Sequence, residues 1–71
     1  MNHFNPKKLL NSKWTSIQPK NKELHFIVIR LIREADETIT GCILEAVMTN
    51  NDYPLTLDEL KNAEKWIMGW K

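Results

Sequence analysis

Leu24-His-Phe-Ile-Val-Ile-Arg-Leu-Ile-Arg33 and, after Glu34-Ala-Asp-Glu-Thr38, Ile39-Thr-Gly-Cys-Ile-Leu-Glu-Ala-Val-Met-Thr49 read as the two strands of a β-hairpin. The first is dense in β-branched and aromatic residues, which suit a pleated and largely covered surface. A symmetric connection sets Val28 opposite Leu44, Phe26 opposite Ala46 and Leu24 opposite Met48. These residues share one face with Cys42 and Ile32, and that face is the expected core. Arg30 falls at its end, where its stem can pack while its head reaches water. The opposite face carries Ile27, Ile29, Leu31, Ile43 and Val47, interrupted by His25 and Glu45. A strand apolar on both sides is usually covered on both. A register slip of one residue would exchange the two faces.

Outward from the hairpin, Asn5-Pro6-Lys7-Lys8-Leu9-Leu10 predicts one helical turn, with Asn5 as cap and Pro6 in the first position. Such a turn is unstable alone, so Leu9 and Leu10 are expected to dock on the sheet. Met1–Phe4 is expected to fray. Ser12–Ile17 predicts a short strand and Pro19–Lys22 a turn. Asn50-Asn51 is a second turn signal, followed by a fourth strand, Tyr53–Leu57, placed at an edge or strand start by Pro54. Thr56-Leu57-Asp58-Glu59 has capping-box spacing. Leu57, Leu60, Ala63, Ile67 and Trp70 then share one helical stripe, with Trp66 beside it, so a helical segment is expected to begin here, with Asn62 a point where it can break into two turns and Gly69 as its C-terminal stop.

These elements predict one small α+β domain over residues 1–71. It has a curled antiparallel sheet of three to four strands, an N-terminal helical turn and a C-terminal helical segment. An SH3-like, partly closed barrel is the expected architecture, and a flat sheet under one helix is the alternative. A chain of 71 residues buries a modest core. Its single cysteine, Cys42, excludes an internal disulfide, and Cys42, His3 and His25 make no zinc set. No cofactor is expected. The composition suits a reducing cytoplasm. Met1–Asn11 lacks an apolar signal-peptide region, and the longest apolar run, Phe26–Ile29, is too short to span a bilayer.

Asn5-Pro-Lys-Lys-Leu-Leu-Asn-Ser-Lys-Trp-Thr-Ser-Ile-Gln-Pro19, then Glu23–Phe26, Leu44-Glu-Ala-Val47, Tyr53, Asp58-Glu-Leu-Lys61 and Trp66-Ile-Met-Gly-Trp70 are distinctive together. With them the chain resembles a small bacterial family of tryptophan-rich conserved hypothetical proteins. The resemblance implies a bacterial source and no established activity. Two departures stand out: Leu57 occupies a position where many relatives are expected to carry tryptophan, and Glu34–Thr38 lacks the expected glycine. The first suggests that an aromatic at position 57 would serve packing.

Enzymatic activity is not expected. Cys42 and His25 fall on opposite faces, no buried carboxylate pair is evident, and Gly41 and Gly69 make no phosphate-cradling loop. Net charge is +1, yet residues 1–33 carry seven cations against Glu23 alone, while residues 34–71 carry eight acids against three lysines. Lys13, Trp14, Lys20, Lys22 and Arg30 therefore form a candidate basic patch with an aromatic in it, suited to weak single-stranded nucleic-acid binding. The competing reading, and the preferred one, is a protein-binding or self-associating module. It uses Ile27, Ile29, Leu31, Ile43 and Val47 as its candidate interface. For the three tryptophans, core packing is the simplest role.

Overall fold

The computed structural model describes residues 1–71. It contains β1 (Lys13–Lys20), β2 (Glu23–Arg33), β3 (Ile39–Ala46), β4 (Asp52–Thr56), the single helical turn α1 (Leu57–Lys61) and β5 (Trp66–Met68). A 3-10 turn, Pro6–Lys8, precedes them, capped by the Asn5 side chain, which accepts from the Lys7 N–H at 3.0 Å. All strands join one antiparallel sheet in the order β4-β3-β2-β1-β5.

Two expectations about architecture are overturned. The sheet is not closed, since β4 and β5 are free edges, so the partly closed barrel does not form. The flat sheet under one helix is not found either, because the C-terminal helical segment stops after five residues. Asn62 turns to an extended ψ of 102°, and its side chain accepts from the Glu64 N–H at 2.9 Å. Its carbonyl takes the N–H groups of Lys65 and Trp66, both at 3.0 Å. A short polar side chain that bonds nearby backbone competes with the helix. Beyond it Trp66, Ile67 and Met68 pair with Ser16, Thr15 and Trp14 as β5. The edge of β1 offers ladder partners that a marginal helix cannot match. The fold is thus a mostly β five-stranded sheet.

The hairpin register agrees with the sequence at Phe26↔Ala46 and Val28↔Leu44 and then shifts. Ile29 is an extra residue on β2, so the next pairs are Arg30↔Ile43, Leu31↔Cys42 and Ile32↔Gly41. A bulge of this kind moves every later side chain to the other face. Leu31 therefore packs against the core, contrary to expectation, while Arg30 and Ile32 leave the core face. Leu24 and Met48 also fail as core residues, being 38% and 81% exposed beyond the β3 pairing.

The core comprises Leu9, Trp14, Phe26, Val28, Cys42, Leu44, Ala46 and Leu60, with Phe4, Leu31, Leu55, Leu57 and Trp66 packed around it. Leu9 docks as expected, whereas Leu10 stays exposed. The N-terminal residues are tied down and not frayed. The Asn2 side chain donates to the carbonyls of Leu60 (3.0 Å) and Trp66 (2.9 Å), and Phe4 meets Trp14 edge to face at 5.8 Å. The Asn21-Lys22 turn has both residues at positive φ, the geometry that matches strand twist in tight hairpins. Thr56 caps α1 by accepting from the Glu59 N–H at 3.2 Å.

Leu44 is fully buried at the centre of the core. Leu44→Ala should lower stability by roughly 2–5 kcal/mol in chemical denaturation; a loss below about 1 kcal/mol would contradict its central place. Gly41 has no room for a Cβ, which would collide with the Leu55 backbone carbonyl. Gly41→Ala must push β4 away from β3, with an expected loss on the order of 1–3 kcal/mol. Full stability in the same measurement would show that the two strands pair more loosely.

Candidate binding cleft on the inner face

Glu23 opens β2 directly after the Asn21-Lys22 turn, at the end of the sheet where β3 has already stopped. The β3–β4 connection and the start of β4 fold over this end and bring three donors to one carboxylate. The Thr49 hydroxyl and the Asn51 side-chain amide donate to Oε2, the latter at 3.1 Å, and the Tyr53 hydroxyl donates to Oε1. The connection is itself braced, because the Asn51 N–H donates to the Thr49 hydroxyl at 3.2 Å and Asn50 sits at a φ of 63°.

Glu23 is only 3% exposed, yet no cation pairs with it. The one ion pair within 4.0 Å in the chain is Arg33–Glu37, at 3.9 Å on the surface. Neutral donors therefore hold the charge. The Thr49 hydroxyl, then that of Tyr53 and the Asn51 amide, lower the pKa of Glu23 below its ordinary value, outweighing the burial that opposes them. The same carboxylate raises the pKa of Tyr53, because it accepts the hydrogen bond that only the neutral phenol can donate.

This carboxylate lies in a cleft of about 430 Å³ on the inner face. Phe26, Tyr53, Leu55 and Trp66 are its apolar walls, and Ser16, Gln18, Lys20, Asn21, Glu59 and Lys65 complete its lining. Phe26 meets Tyr53 edge to face at 6.0 Å and Trp66 at 5.1 Å. Trp66 is half-buried and Tyr53 exposed, so aromatic surface remains open. α1 contributes Glu59 to the cleft and β5 contributes Trp66.

The residues singled out in the sequence are dispersed. Trp14 is 1% exposed, with its indole N–H donating to the Ser12 hydroxyl at 2.9 Å, so it offers no face to a base. Lys13 and Lys20 stand at opposite ends of β1, Lys22 lies in the turn, and Arg30 follows the Ile29 bulge. Lys13 instead places its ammonium 4.8 Å from the centre of the Trp70 ring. Among the aliphatic set Leu31 is a core neighbour, Ile27 and Ile43 are half-buried, and Ile29 and Val47 are exposed. The outer face also receives Trp70, which stacks on His25 at 5.6 Å and donates its indole N–H to the Phe26 carbonyl at 2.9 Å. Thr15 fastens the same tail, donating to the Gly69 carbonyl at 2.7 Å and accepting from the Lys71 N–H at 2.9 Å.

Sequence reasoning missed the Glu23, Thr49, Asn51 and Tyr53 cluster. The one available signal was that Glu23 is the single acid among residues 1–33 and sits beside a turn. No group of three or more His, Cys, Asp or Glu side chains converges as a metal site, and no helix is long and apolar enough to cross a membrane.

Fold and cleft together define a small antiparallel β domain with an aromatic-walled pocket on its inner face. The three tryptophans occupy its core (Trp14), the cleft wall (Trp66) and the outer face (Trp70). The chain belongs to the tryptophan-rich protein family (DUF2389), whose sequence profile matches residues 12–71. No curated protein and no solved structure matches it.

The Glu23–Tyr53 pair makes stability depend on pH at both ends. A lowered folded pKa gives Glu23 a contribution that is full above its ordinary value of 4.5 and is lost as pH falls through the folded value. A raised folded pKa gives Tyr53 a contribution that is full below 10.0 and is lost as pH rises through the folded value. Urea midpoints should therefore be highest between those limits. Glu23→Gln should flatten part of the acid limb, leaving the part due to Asp36, whose pKa is lowered by hydrogen bonds from Thr38. An unchanged acid limb would show that the cluster holds no charge. Burial also pushes the Cys42 thiol up to about 11. An aromatic disulfide reagent at neutral pH should label Cys42 only at the rate of unfolding, and immediate labelling of the native protein would contradict that.

Proposed function

We propose that this protein is a non-catalytic binding module of the bacterial cytoplasm, and that the inner-face cleft receives a segment of a partner protein. The observation that carries this reading is the open aromatic wall made by Tyr53 and Trp66 beside the buried Glu23 carboxylate. Tyrosine and tryptophan are the side chains that most often anchor protein interfaces. A cleft of about 430 Å³ lies within the size range of ligand pockets, and its four apolar residues share the lining with seven polar or charged ones, a mixture suited to a peptide segment that brings its own polar groups. The single unpaired cysteine and the family resemblance support the compartment and source. The aliphatic set on the hairpin supports the reading less well, because the bulge at Ile29 divides it between two faces.

A displayed library of random peptides tests the proposal. Peptides enriched on the wild-type protein should lose binding to Gln18→Trp, which fills the cleft from an exposed position. Enrichment indifferent to that substitution would move the interface elsewhere. Quenching of tryptophan emission by mixed single-stranded RNA at low salt, with no peptide enriched, would favour nucleic acid instead.

A further inference from the structure

The geometry points to a lysine side chain of the partner protein as the group this cleft recognises, with its ammonium seated between the Trp66 and Tyr53 rings and the Glu23 carboxylate. The inference rests on the proposal that the cleft binds a protein segment, and it adds what that segment must present.

The first argument is charge. Glu23 is held by a hydroxyl, an amide and a phenol, none of which neutralises it. Buried carboxylates are ordinarily paired with a cation, and this one has no lysine or arginine within 4.0 Å. Three hydrogen bonds fill three of the roughly four lone-pair positions of a carboxylate. Two of them fall on Oε2 and one on Oε1, so the remaining position is on Oε1, the oxygen that Tyr53 shares. One vacant acceptor suits a single N–H donor. It does not suit the two-pronged contact that a guanidinium prefers. An ammonium therefore fits better than arginine.

The second argument is the wall. Phe26, Tyr53 and Trp66 form a chain of edge-to-face rings around the cleft. Ring faces attract cations, tryptophan most strongly, and more so where water is excluded. Apolar walls also accept the methylene stem of a lysine, which packs while its head is hydrogen-bonded.

The rim refines the choice. Lys20, Lys65 and Glu59 line the cleft but are exposed, so solvent and salt screen all three far more than they screen the buried carboxylate, and the two lysines outnumber the one acid. The lysines weaken the site for an isolated amine and favour a lysine flanked by acidic residues, which the rim cations can meet. The partner group is therefore a lysine in an acidic stretch of chain.

Titration of the full chain, followed by NMR, tests this with a capped Gly-Glu-Lys-Glu-Gly peptide, the same peptide with an acetylated lysine, and butylammonium. The lysine peptide should shift the Trp66 indole and Tyr53 ring signals, and the acetylated peptide should bind at least tenfold more weakly. Affinity for the lysine peptide should fall at least tenfold in Glu23→Gln and at least threefold in Trp66→Leu, which keeps an apolar side chain but removes the ring. Should Glu23→Gln fail to fold, the acetylation comparison and Trp66→Leu decide alone. Equal binding of both peptides overturns the ammonium and leaves the protein-binding proposal standing. Butylammonium binding as tightly as the lysine peptide overturns the protein side chain in favour of a small amine. No shift from any probe, together with no peptide enriched from the random library, removes the binding cleft itself.

Discussion

The pairing of Val28 with Leu44 is the contact on which the rest of the structure depends. Both side chains are wholly buried at the middle of the sheet, and Trp14, Leu9 and Leu60 are packed in the same core. A domain of 71 residues has little apolar area to spare. The N-terminal turn, α1 and β5 therefore gain their order mainly by closing over this centre and only secondarily from local preference. Asn2 shows the economy of the arrangement: one side-chain amide links the carbonyls of Leu60 and Trp66 and so joins both chain-terminal regions to the helical turn.

The bulge at Ile29 is the second organising feature. Before it, Phe26 and Val28 enter the core as the hairpin demands. After it Leu31 turns inward and Arg30 outward. The displacement keeps a long, doubly apolar strand from presenting one continuous aliphatic stripe. Arg30 and Glu45 fall among Ile27 and Ile43 on the outer face, and Trp70 lies against His25 there. An edge-exposed, uninterrupted apolar face is an aggregation hazard, and this combination of bulge, charge and tail reduces it.

Glu23 binds the open end of the sheet through polar contacts where apolar packing has run out. Its three donors all come from the β3–β4 connection and β4, so one buried charge fixes a segment that has few buried side chains of its own. Hydrogen bonds to an ionised acceptor are stronger than neutral ones. The same arrangement leaves a negative charge beside exposed aromatic rings, which couples the stability of this end of the fold to the chemistry of the cleft.

The sequence by itself determined the hairpin, its register at Phe26, Val28, Leu44 and Ala46, both turns at asparagine, the Asn5 and Thr56 caps and the membership of the tryptophan-rich family. These follow from local alternation, backbone preference and hydrogen bonds between near neighbours. Tertiary structure alone decided the Ile29 bulge, the conversion of the expected helix into β5, the openness of the sheet and the Glu23 cluster. Trp66 and Ile67 fit a helical stripe and, with Met68, a strand, and the choice falls to β1, some fifty residues away, whose edge needed a partner. Glu23 reads as a solvated charge beside a turn because its donors, Thr49, Asn51 and Tyr53, lie 26 to 30 residues further along the chain. No local rule connects them; they meet only when β4 takes its place beside β3.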